Sequence, residues 1–72
     1  MKNEILTKMI EELKTNEYFV PSKYVGYKYN DVLSVIKALK DNEIVRVTPN
    51  NIRLINKSNL NRKLELVKNF YF

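Results

Sequence analysis

Apolar residues recur along this chain with two different periods, and the points where the period changes divide it into segments. Over residues 3–15, Ile5, Leu6, Met9, Ile10 and Leu13 fall on one helical stripe, with Lys8, Glu11, Glu12 and Lys14 outside it. That spacing predicts a helix whose apolar side is core. Tyr18, Phe19 and Val20 form a short apolar stretch ended by Pro21, suited to a brief strand or an extended connector. Pro21 and Ser22 open a stub helix over 22–25. Gly26, the only glycine, predicts a turn with positive φ.

The next segment is the most informative. Asn30 is a favourable N-cap, with Asp31 well placed against the helix dipole. Val32, Val35, Ile36 and Leu39 then share one face at 100° per residue, and Asn42 is expected to end the helix in a left-handed conformation. The period switches to two in Ile44-Val45-Arg46-Val47 and Ile52-Arg53-Leu54-Ile55. With Thr48-Pro49-Asn50-Asn51 between them, these runs predict a hairpin. A last helix, capped by Ser58 or Asn59, places Leu60, Leu64, Val67 and Tyr71 on one stripe and Leu66 with Phe70 on a second edge. The closing Phe70-Tyr71-Phe72 either covers the domain's own core or pairs with a second copy of the chain.

Length favours the second slightly and leaves the first open. A chain of 72 residues forms one domain and buries only roughly 60% of the surface its unfolded form exposes. It has no Cys and no His, so neither disulfides nor the common zinc sites can staple it. Self-association is the remaining inexpensive source of buried area, and a homodimer is expected through Leu60, Leu64, Val67, Phe70 and Tyr71.

The same lack of His and Cys removes the usual general base and thiol nucleophile, and one glycine cannot build a phosphate-cradling loop. No enzyme, metal site or cofactor is expected. The formal charge is +5, which suits a polyanionic partner. Residues 1–20 carry a net −1, residues 21–40 a net +3 and the remainder a net +3. No apolar run is long enough to span a membrane, and the acids within MKNEILTKMIEEL are wrong for a signal peptide. A cytoplasmic location is expected.

The order helix, short strand, stub helix, turn, helix, hairpin resembles the winged helix-turn-helix family. The residues that carry the likeness are Val32-x-x-x-Ile36-x-x-Leu39, then Asn42-Glu43-Ile44-Val45, then the ribbon over 46–54. Asn42 stands where the family usually has Gly. Only seven residues separate Ser22 from Asn30, fewer than most members place there, so the second helix is short or irregular. The resemblance implies an α+β, mainly α fold, with three helices and a β-hairpin wing. Residues 1–57 would be the winged-helix domain and 58–72 an appended fourth, dimerising helix.

The implied function is sequence-specific binding of double-stranded DNA by a small homodimeric transcriptional regulator, of the kind a virus or plasmid carries. An α-helix fits the major groove, where Asn pairs with adenine and Lys with guanine acceptors. Asn30, Ser34 and Lys37 are the expected base contacts, flanked by Lys40 and Leu33. Lys28 and Tyr29 suit phosphates, and Lys23 is a further expected DNA contact. Arg46 and Arg53 alternate with apolar residues, so both leave the core side of the ribbon. As neighbours on one face they would repel unless an anion lay between them. Asn50 and Asn51, at the tip, either enter a minor groove or satisfy turn geometry, and for Asn51 the turn explains the residue at least as well. Tyr18 and Tyr24 are read as structural, with Tyr27 and Tyr29 left open. Two rivals stand beside this reading: a winged-helix protein-docking module of a replication or transcription assembly, and a single-strand binder using the tyrosines.

Overall fold

The computed structural model describes residues 2–71, the last two by backbone alone. Its elements are α1 (Lys2–Asn16), β1 (Tyr18–Phe19), a single 3-10 turn (Pro21–Tyr24), α2 (Tyr29–Asp41), β2 (Val45–Val47), β3 (Ile52–Leu54) and α3 (Lys57–Tyr71). The fold is α+β and mainly helical. The expected second helix is only that 3-10 turn, so the C-terminal helix is the third α-helix rather than the fourth.

The core forms where the apolar stripes converge. Ile5, Leu6, Met9, Ile10 and Leu13 of α1 meet Val32, Val35, Ile36, Ala38 and Leu39 of α2, and all are buried. Each fully buried aliphatic side chain contributes about 1.5–3 kcal/mol. Among the described residues, none of the buried ones is charged, and no buried side-chain nitrogen or oxygen lacks a hydrogen-bond partner. Phe19 is also buried, and its ring meets Tyr24 edge-on, with centroids 5.7 Å apart at 85°. The 3-10 turn is tied to α1 from outside, where the Lys23 ammonium donates to the Glu12 carboxylate.

The three strands form one antiparallel sheet in the order β1-β3-β2. Glu17 makes this possible. At φ 68° it takes the left-handed conformation directly after α1, turning the chain so that its carbonyl accepts from the Leu54 amide at 2.9 Å. The register pairs Tyr18 with Arg53, and Arg53 with Arg46.

Four local expectations change. Helix α2 begins two residues early, with Lys28 (φ −61°, ψ 129°) at the N-cap in place of Asn30 and no side-chain cap bond. Asn30 therefore lies inside the first turn. Gly26 has no positive φ, and a Cβ there would meet nothing within 4 Å. At the other end of α2 the left-handed residue is Glu43 (φ 59°), not Asn42 (φ −94°). The Ile44 amide donates to the Leu39 carbonyl at 2.9 Å and the Glu43 amide to Lys40 at 3.0 Å. That pairing is a Schellman cap, closed by contact-position residues Leu39 and Ile44, both fully buried. Finally, α3 is capped by Asn56, whose Oδ1 accepts from the Asn59 amide at 2.7 Å. Asn59 instead donates its side chain to the Glu43 carbonyl at 2.9 Å, fastening the start of α3 to the end of α2.

Leu60 and Val67, expected at a dimer interface, are each 1% exposed and belong to this chain's own core. Leu64 is half-buried and packs against the same core. A side chain already covered has no surface left to offer a second copy, so these residues close the monomer. The Phe70 and Tyr71 side chains, and Phe72, lie outside the described residues.

Candidate functional site

Helix α2 buries one side and leaves the other bare because its sequence alternates at helical spacing. Lys37 and Lys40 are exposed, Ser34 is half-buried and Leu33 is 43% exposed. Asn30 is exposed. Starting the helix at Tyr29 relieves it of capping, and its side chain has no hydrogen bond among the described residues. Lys37 Nζ lies 3.9 Å from Asp41 Oδ2, with both side chains largely in solvent. An exposed pair at this spacing contributes only about 0.3–0.5 kcal/mol, so Lys37 is easily drawn to another anion. Asp41 puts negative charge at the C-terminal end of this side, beside Lys37 and Lys40, while the first turn carries Asp31.

Ahead of α2, Lys28 is exposed and Tyr29 is 74% exposed. Val25, at 83%, joins Tyr29 and Leu33 along a groove of about 320 Å³ between the 3-10 turn and α2. Sequence periodicity gave Val25 no role, since exposure of one residue in an irregular turn leaves no pattern. Lys23 stands apart from this surface chemistry. Its ammonium is engaged by Glu12, whose carboxyl is held below its ordinary range by the hydrogen bonds from Lys23 and Asn16.

The ribbon brings Arg46 and Arg53 together as direct cross-strand partners, both exposed. Neither makes an ion pair with an acid among the described residues. At the ribbon's end, Thr48 and Asn51 consume each other. The Thr48 amide donates to the Asn51 carbonyl at 2.8 Å, and the Asn51 amide donates to Thr48 Oγ1 at 3.0 Å. Asn51 thus holds the turn, while Asn50 is left exposed at the tip.

Of the tyrosines, Tyr24 is buried as expected, and burial pushes its hydroxyl up to about 12, aided by the Glu12 and Tyr27 charges. Tyr27 is half-buried and donates to Glu4 Oε1 at 3.1 Å, with Lys8 Nζ 5.6 Å from its ring centroid. Tyr18 differs from its expected structural place. It is 41% exposed, and the Arg53 guanidinium carbon lies 5.8 Å from its ring centroid. Only the pairing of β1 with β3, a contact between distant parts of the chain, could have revealed that neighbour.

Among the described residues there is no group of three or more His, Cys, Asp or Glu side chains placed to hold a metal. No described helix is long and apolar enough to cross a membrane. No family model, curated protein or solved structure matches this chain, so its functional reading rests on the arrangement of these side chains.

Proposed function

We propose that the chain is a winged-helix protein that binds double-stranded DNA sequence-specifically, with α2 in the major groove and the β2–β3 ribbon on the adjoining backbone. One observation carries the reading: Asn30, Ser34 and Lys37 lie on the side of α2 that the core leaves free, and Asn30 has no competing partner among the described residues. The element order supports it, since a helix delivered directly into a β-ribbon is the arrangement on which the family resemblance rests. In this account Asn30, Ser34 and Lys37 meet base edges, Leu33 lies against a thymine methyl, and Lys28, Tyr29 and Lys40 hold phosphates. Arg46 and Arg53 share a phosphate, and Asn50 enters the minor groove. The activity is binding, without catalysis or a cofactor.

Dimerisation belongs to the same proposal, through the outer edge of α3 where Leu66 is 58% exposed. Two copies of α2 would then meet successive major grooves about 34 Å apart, and a transcriptional regulator of a virus or plasmid is the expected setting. Selection of bound sites from random duplexes, with stoichiometry read alongside, tests both parts. A roughly palindromic consensus supports them; enrichment of no sequence rejects the first. A protein-docking module is favoured by one observation, the apolar groove of Val25, Tyr29 and Leu33. It prevails if the protein retains no duplex at low salt yet captures a single polypeptide.

A further inference from the structure

The outer face of the sheet carries more than the arginine pair. Successive residues of a strand alternate between faces and cross-strand partners share one, so Tyr18, Arg53 and Arg46 stand in one row across β1, β3 and β2, while Phe19 and Ile52 point into the core. Neighbouring strands lie about 4.8 Å apart, so the row spans roughly 10 Å, the length of a nucleotide from base to phosphate. Its chemistry is graded along that length. At one end is an aromatic ring, 41% exposed, with the Arg53 guanidinium over the ring at 5.8 Å from its centroid. At the other are two like charges directly opposed, an arrangement that is unfavourable until an anion joins them.

Duplex phosphates would satisfy the arginines alone, but paired and stacked bases offer no face to a tyrosine. An unpaired base does, since every base has a π-face that stacks on an aromatic ring. We propose that the Tyr18–Arg53–Arg46 row binds one unpaired nucleotide, base on Tyr18 and phosphate between the arginines, so that the chain prefers a duplex with a single-stranded tail to a blunt one. This rests on the duplex reading of α2 and adds the class of DNA end that the protein selects.

The test is fluorescence anisotropy with a blunt duplex, the same duplex bearing a short oligo-dT tail on either strand, and the tail alone. Wild-type protein should bind the tailed duplex roughly tenfold more tightly than the blunt one, the size of one base stacked on an aromatic side chain. Tyr18→Ala should abolish that gain and leave blunt-duplex affinity where it was, whereas Tyr18→Phe, which keeps the ring, should retain it. If Tyr18→Ala fails to fold, Tyr18→Thr preserves strand propensity and takes its place. Equal affinity for both duplexes, or a gain that survives loss of the ring, overturns the nucleotide site while blunt-duplex binding upholds the role of α2. Failure to bind either duplex overturns both.

Discussion

Arg46 and Arg53 are direct partners in the β2–β3 register, two exposed arginines on one sheet face with no carboxylate paired to either among the described residues. Like charges placed this way oppose folding, by roughly 0.2–1 kcal/mol for a cross-strand pair. Arg46→Thr should therefore stabilise the free protein slightly in urea melts. The same substitution should weaken duplex binding and lower the slope of log affinity against log salt by about one, as loss of one phosphate contact requires. Destabilisation, with an unchanged salt slope, would assign Arg46 to the fold instead.

Glu43 bears a local cost of a similar kind. It holds the left-handed position of the cap that joins α2 to β2, at φ 59°, where a side chain costs roughly 1–2 kcal/mol relative to glycine. Glu43→Gly should stabilise the domain by about 1 kcal/mol after the entropy that glycine adds to the unfolded chain, raising Tm by several degrees. Asn42→Gly should destabilise, because Asn42 has an ordinary negative φ and its side chain donates to the Ala38 carbonyl at 2.9 Å. Thermal melts of the two variants separate the positions.

Tyr24 sets an alkaline limit. Its hydroxyl is raised from 10.0 to about 12, chiefly by burial, so the folded chain holds that proton more tightly than the unfolded one. The contribution is complete below pH 10 and is lost as pH rises toward 12. Wild type should lose more stability over that interval than Tyr24→Phe, which keeps the ring against Phe19 and has nothing to ionise. Lysine titration is common to both proteins and cancels. Parallel pH profiles would contradict the assignment.

Helices α1 and α2 were legible because five apolar residues at helical spacing in the first and four in the second leave little choice of face, and the ribbon because its period is two. The ends were less so. Asn30 and Asn42 each have the right chemistry for a terminus, yet each terminus lies elsewhere, since a backbone amide and a buried Ile44 decide α2's exit more strongly than side-chain preference. Gly26 suggested positive φ, but the left-handed residues are Glu17 and Glu43, placed there by strand pairing and by the Leu39–Ile44 closure. In the candidate site, α2's bare face could be read from periodicity alone. Lys23's engagement by Glu12 and Tyr18's place beside Arg53 could not, because both depend on contacts between segments far apart in the chain.

The central claim is that the free side of α2 reads base sequence, and affinity of Lys37→Ala for a selected duplex and for random duplex measures it directly. Wild type should favour its selected site, and the variant should lose roughly tenfold or more of that preference, the discrimination one base contact supplies. Equal loss on both duplexes, or no retention of any duplex at low salt, would contradict it.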